Sequence, residues 1–165
     1  MIFVTVGTHE QPFNRLVEYM DRWAANSGEE VVIQTGFSTY EPKNCKWSKL
    51  YPYPQMLEFV KQARIVITHG GPSSFIMPLQ EKKIPIVVPR QKKYDEHVND
   101  HQLEFAKAVA ERQRNILVIE NIEDLGDFLS NYEKKITELS SELCSNNETF
   151  NEKLADLVDE MFKRK

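Results

Sequence analysis

Three observations predict a parallel, doubly wound α/β sheet for this chain. Short apolar runs of strand length alternate with segments of helical periodicity. Runs such as Ile65-Val66-Ile67 and Ile86-Val87-Val88 are β-branched and apolar on both faces, as strands buried between two helical layers are. Helical segments separate most consecutive strands, which implies right-handed crossovers and one parallel sheet.

The elements follow in order. Ile2 to Val6 reads as a strand, apolar except for Thr5, and ends at Gly7-Thr8-His9-Glu10. Phe13, Leu16, Val17 and Met20 recur at i, i+3, i+4 and i+7, which marks an amphipathic helix ending near Ser27-Gly28. Val31 to Gln34 is a second strand that breaks at Thr35-Gly36. A polar loop over 37–46 contains Pro42, and Lys46 to Tyr51 suits a short edge strand. Pro54 to Ala63 is a helix with Met56, Leu57 and Val60 inward. The Ile65 strand, a Pro72–Lys82 helix, the Ile86 strand and an Asp100–Arg112 helix come next. Ile116 to Ile119 is the last strand and Ile122 to Tyr132 a helix. The tail over 136–165 is helical and polar. Its Phe150, Leu154, Leu157, Val158 and Met161 make one apolar stripe, and Lys163-Arg164-Lys165 close the chain. That stripe is expected to pack on the parent sheet, with docking on another subunit as the other reading. The expected division is residues 1–135 as the sheet domain and 136–165 as a helical extension.

Length and composition bound the function. At 165 residues the chain suits one domain with a proper core. Hydrophobic content of 41% and charged content of 28% are those of a soluble globular protein. The net charge of −4 argues against a general nucleic-acid binder. No apolar run approaches a membrane span, and Met1 leads into a strand without a signal-peptide pattern, so a cytoplasmic location is expected. Cys45 and Cys144 form neither a disulfide framework nor a zinc motif. Gly7 stands alone where a dinucleotide fingerprint needs three glycines, which disfavours nicotinamide or flavin chemistry.

The chemistry concentrates between Ile65 and Gln102. Thr68-His69-Gly70-Gly71 ends a strand, Pro72 suits a first helical position, and Ser73 and Ser74 fall in the first turn. A strand, a glycine turn and a helix N-terminus make a seat for a phosphate; a plain Ser-capped turn reads equally well from these residues alone. The downstream half favours the phosphate seat. Beyond the Ile86 strand, Arg90-Gln91-Lys92-Lys93 place three cations in a loop, where ligands of open α/β sheets bind. Asn99 or Asp100 caps the next helix and sets His101 and Gln102 in its first turn, aimed at the same crevice. Arg90 is expected to neutralise diphosphate charge as a forked donor, and Lys92 and Lys93 to be solvated. His69 is expected to serve the site, His9 to act as a base or interface residue, and His97 to orient its loop with Glu96.

Val4-Thr5-Val6-Gly7-Thr8, Thr68-His69-Gly70-Gly71-Pro72-Ser73-Ser74, Val87-Val88-Pro89-Arg90 and Glu96-His97-Val98-Asn99-Asp100-His101-Gln102 together resemble the donor-binding domain of glycosyltransferase family 28. The likeness covers about residues 2–125. It extends to short bacterial exopolysaccharide and capsule transferase subunits, which are similar to the catalytic half of the split GlcNAc transferase of dolichol-linked oligosaccharide assembly. The resemblance implies a single Rossmann-like domain, the C-terminal, nucleotide-sugar half of a GT-B enzyme. It implies that Gly70, Gly71, Ser73 and Ser74 hold the pyrophosphate of a UDP-sugar, and that His101 and Gln102 meet the donor sugar and phosphates. Tyr53 would receive the uracil, Gly7 and Thr8 would line the cleft floor, and His9 would face the acceptor. Met77 stands where the family often has a ribose-binding Glu, so ribose recognition is expected to differ.

The implied activity is an inverting, metal-independent UDP-sugar transferase, galactosyl favoured over GlcNAc and glucuronosyl donors, that extends a lipid-diphosphate-linked sugar in exopolysaccharide or capsule assembly. His9 and His69 are the candidate catalytic residues. No Asp-x-Asp pair is present, and no metal or other cofactor is expected. A membrane-anchored acceptor-binding subunit is the expected partner; it would hold the chain at the inner membrane face and is a second candidate source of the base. A non-catalytic UDP-binding module of the same fold is the alternative. A stand-alone epimerase is disfavoured, because it needs both GT-B domains in one chain.

Overall fold

The computed structural model describes residues 1–143, with side chains as far as residue 139. The apolar stripe and basic end expected in the tail lie outside the described residues. Six parallel strands form one sheet: β1 (Ile2–Thr5), β2 (Val31–Gln34), β3 (Lys46–Ser48), β4 (Ile65–Thr68), β5 (Ile86–Val87) and β6 (Leu117–Val118). Among the described residues six helices connect and follow them: α1 (Asn14–Ser27), α2 (Tyr53–Gln62), α3 (Pro72–Gln80), α4 (His101–Gln113), α5 (Leu125–Ser130) and α6 (Tyr132–Leu143).

Strand parity distributes the core. Ile2, Val4, Val6, Val31, Ile33, Ile65 and Ile67 share one cluster with Leu16, Val17 and Met20 of α1 and Leu125 and Leu129 of α5. The intervening Phe3, Val32 and Val66 point the other way and meet Val60 of α2, while Val87 joins Phe75, Phe105 and Val109 of α3 and α4. A period of two in the strands therefore supplies both helical layers. These strands read as continuous apolar runs because neither face meets water.

The strand order is β3-β2-β1-β4-β5-β6. The chain steps outward from β1 to β3, then returns to lay β4 beside β1. That reversal opens a crevice at the carboxyl ends of β1 and β4, since their connections leave in opposite directions.

The helix expected over 122–132 differs in the structure. A 3-10 turn at Ile122–Asp124 precedes α5, and the chain breaks at Asn131 before α6. The reason is tertiary: Tyr132 is buried and donates its phenol to the Ile84 carbonyl at 2.5 Å. The Asn131 side chain closes α5 by donating to the Asp127 carbonyl at 3.2 Å.

A polar clamp fixes the loop between β2 and β3. Asp21 of α1 is 2% exposed, and its carboxylate accepts Lys43 N at 3.0 Å, Asn44 N at 2.7 Å and the Tyr40 hydroxyl at 2.8 Å. Burial pushes this carboxyl up, but the donors from Asn44, Tyr40 and Lys43 together hold it below its ordinary value. Its contribution to stability is therefore present above the ordinary carboxylate range and is lost as pH falls through the lowered folded-state value. Asp21→Ala leaves two backbone donors unpaired and should cost about 2–4 kcal/mol in urea unfolding. The deficit relative to wild type should shrink as the pH is lowered toward 3.

Candidate functional site

The floor of the crevice is built from strand ends. Thr5 Oγ1 accepts Gly7 N at 3.2 Å and Gln34 Nε2 at 3.1 Å, and Gln34 Oε1 accepts Tyr51 N at 3.0 Å. The buried Gln34 thus ties β1 to the segment that leads into α2. Above this floor lies a cleft of about 560 Å³. Seven of the residues expected from the sequence line it: Gly7, Thr8, His9, Tyr53, His69, Ser73 and Ser74. Met77 lines it too, on the α3 wall. Sequence reasoning missed the opposite wall, where Leu50, Tyr51 and Met56 join Tyr53, and the deep contributions of Phe3, Val60 and Val66. The one legible signal was Gln34, a polar residue closing an apolar run.

Gly70, Gly71, Arg90, His101 and Gln102 do not line the cleft. Gly70 is a packing position: a Cβ there would sit 2.9 Å from Gln102 Cβ and 3.1 Å from Pro89 Cβ. Gln102 Oε1 accepts Arg90 N at 3.2 Å, so its amide braces the β5–α4 loop from behind. His101 is exposed at the start of α4, where Asn99 Oδ1 accepts its N–H at 3.0 Å. Of the two expected capping residues, Asn99 satisfies the helix amide, while Asp100 Oδ1 accepts Lys92 N at 2.9 Å.

Arg90 corrects an expectation. It is fully buried rather than facing a ligand. Its Nη1 donates to Gln11 O at 2.6 Å and Glu96 O at 3.0 Å, and its Nη2 donates to Val6 O at 2.6 Å. Its guanidinium carbon lies 5.1 Å from the Phe13 ring centroid. Strand parity explains the placement: Ile86, Val88 and Arg90 alternate toward the α1 face. Burial pushes the guanidinium down to about 10, which leaves it charged at neutral pH. Beside it, the buried Glu96 accepts Arg15 through both oxygens, each at 3.0 Å, and also Gln91 N at 3.1 Å. Lys92 and Lys93 are exposed, as expected.

The histidines divide into two environments. The His69 ring is sealed between Gly7 and Gly71, where a Cβ would approach its atoms to 2.3 Å and 2.2 Å respectively. Its Nδ1 accepts Gly71 N at 3.0 Å, which assigns the ring proton to Nε2; that N–H donates to Ser74 Oγ at 2.8 Å. Gln102 Oε1, 3.4 Å from Nδ1, faces a lone pair and makes no bond. Burial, then the Arg90 charge, push this imidazole down to about 3. Both ring nitrogens are thus engaged within the protein, Nδ1 by Gly71 N and Nε2 by Ser74 Oγ. His9, by contrast, stands at the cleft and stacks on His97 with centroids 4.5 Å apart. Its Nε2 lies 2.9 Å from Gln11 Oε1, an acceptor, so Nε2 carries a proton. Burial, then His9 and Arg90, push the His97 imidazole down.

The model of the glycosyltransferase family 28 C-terminal domain matches residues 1–161. The chain belongs to that family. Solved structures with the same fold include the glycotransferase of kitacinnamycin, at 19% identity with a TM-score of 0.54, covering 98% of this chain and 39% of that one. Glycosyltransferase SnogD from Streptomyces nogalater matches at 16% identity and TM-score 0.54, covering 96% and 42%. Spinosyn forosaminyltransferase SpnP matches at 17% identity and TM-score 0.56, covering 98% and 42%. This family 28 domain therefore spans about two-fifths of each of those chains. It is the Rossmann-like C-terminal half of the GT-B architecture, and a transferase domain by family. No curated protein sequence matches it. Among the described residues, no helix is long and apolar enough to cross a membrane.

Two substitutions test the frame of the site. Arg90→Lys cannot reproduce a fork onto three separate carbonyls and should cost about 3 kcal/mol, a fall of about 10 °C in melting temperature. Gly71→Ala should destabilise by about 1–3 kcal/mol through overpacking against His69, and His69→Ala in the same chain should recover part of the loss in calorimetry.

Proposed function

We propose that this chain is the donor-binding half of an inverting, metal-independent UDP-sugar hexosyltransferase. In this reading it extends a lipid-diphosphate-linked sugar, galactosyl transfer favoured, in exopolysaccharide or capsule assembly. The observation that carries the reading is the two-sided cleft at the β1–β4 reversal. One wall offers the Ser73 and Ser74 hydroxyls at the α3 N-terminus; the other offers Leu50, Tyr51, Tyr53 and Met56. Hydroxyls at a helix start suit a diphosphate, and an aromatic and aliphatic wall suits a flat base. Tyr53 is 61% exposed, so a stacked base would bury it.

In the same reading, proton removal from the acceptor hydroxyl falls to His9 Nδ1 or to a group on the partner, since both His69 ring nitrogens are engaged within the protein. Charge on the departing UDP is met by the α3 N-terminus, by the serine hydroxyls and by groups of the acceptor-binding partner, because Arg90 is committed to carbonyls. The partner would be membrane-anchored and hold this chain at the inner membrane face. Met77 on the α3 wall offers the ribose no strong acceptor, which leaves that recognition to other groups of the cleft.

Thermal-shift titration with UDP, ADP, NAD and a panel of UDP-sugars tests this. UDP at a hundred times its dissociation constant should add about 2.7 kcal/mol of stability. ADP and NAD should add little, and Tyr53→Ala should weaken the UDP response about tenfold or more, as expected for one lost stacking contact. With the co-purified partner, UDP-galactose turnover should persist in EDTA. Equal stabilisation by ADP and UDP would sink the donor assignment. UDP binding without turnover by the pair, for any of the sugars, would favour the non-catalytic module instead.

A further inference from the structure

His69 is the one buried, potentially reactive side chain at the cleft that the proposed chemistry leaves unused. Three features set its state. The slot between Gly7 and Gly71 fixes the ring plane, because neither wall has room even for a methyl group. The Gly71 N–H, at 3.0 Å, occupies Nδ1 and selects the Nε2–H tautomer. That single remaining donor is spent on Ser74 Oγ at 2.8 Å. Ser74 N is likewise committed, to Gly71 O at 3.0 Å. What remains at Ser74, on the cleft wall, is the hydroxyl proton. A hydroxyl that accepts one bond on its inner side turns its own O–H outward, and chained donors polarise one another.

We propose that His69 is a positioning residue that acts on ligand only through Ser74, holding the Ser74 hydroxyl so that its proton is delivered to an anionic oxygen of the bound nucleotide diphosphate. The proposal rests on the donor-site reading above, and it assigns His69 neither a direct ligand contact nor proton transfer. It also explains why two glycines flank one imidazole: they exist to hold the relay, while the neutral ring adds no charge that varies with pH.

A double-mutant cycle on UDP affinity, measured by calorimetry with the full chain, tests it. Ser74→Ala should weaken UDP binding about tenfold or more, as loss of a hydrogen bond to a charged group does. His69→Asn keeps an acceptor for Gly71 N but lacks the donor toward Ser74, and should lose about as much. The double variant should bind no worse than Ser74→Ala alone, and His69→Gln, which restores a donor at the Nε2 position, should recover most of the affinity. Melting temperatures of the ligand-free variants separate folding losses from binding losses. Imidazole nitrogen NMR should show a neutral Nε2–H tautomer from pH 5 to 8, with and without UDP. Losses that multiply in the double variant, or an imidazole that protonates on binding, would overturn the relay while leaving the donor site intact. A wild-type chain that fails to bind UDP would overturn both.

Discussion

The carboxyl edge of this domain depends on one buried cation. Arg90 joins the last carbonyl of the β1 run, at Val6, to Gln11 in the following loop and to Glu96 in the β5–α4 loop. Those three segments have no regular hydrogen-bond ladder between them. A planar guanidinium is suited to the task, since its fork reaches acceptors on different chains of the backbone while its face rests on Phe13. The arrangement is not complete, because Nε has no protein partner. Burying such a charge is costly, and its role is better understood as specifying one arrangement of loops than as adding net stability.

Once those loops are held, the cleft follows. The buried floor of Thr5 and Gln34 and the sealed His69 ring are polar, and each group is paired inward before any ligand arrives. A site prepared in this way loses little ordering entropy on binding. What is left over faces the cleft: the Ser73 hydroxyl and the Ser74 hydroxyl proton on one wall, and the aromatic surface of Tyr53 on the other. The division between inner, satisfied polar groups and outer, available ones is what makes the edge a candidate site and not merely the end of a sheet.

Much of this was legible in the residues. Apolar runs at Ile2, Val31, Ile65 and Ile86 announced buried parallel strands, and the Gly-Gly-Pro-Ser-Ser sequence announced a turn into a helix. Parity would even have placed Arg90 inside, had the alternation of Ile86 and Val88 been carried two residues further. The roles of His69 and Gln102 were not legible, because each is defined by atoms on another element: Gly7 lies 62 positions from His69 in the numbering of the chain, yet forms one side of its slot. The Asp21 clamp is of the same kind, its partners lying in a loop more than 18 residues away.

By itself, then, the sequence determined the sheet, the order of its elements and the presence of chemistry between Ile65 and Gln102, because periodicity, glycine and proline act locally on the backbone. Only the tertiary structure decided which polar side chains face the cleft and which are consumed in building it. A hydroxyl, an imidazole and a guanidinium are equally able to meet a phosphate or a carbonyl. Which one they meet is set by the neighbours that remove them from water, and those neighbours come from strands and loops far away in the chain.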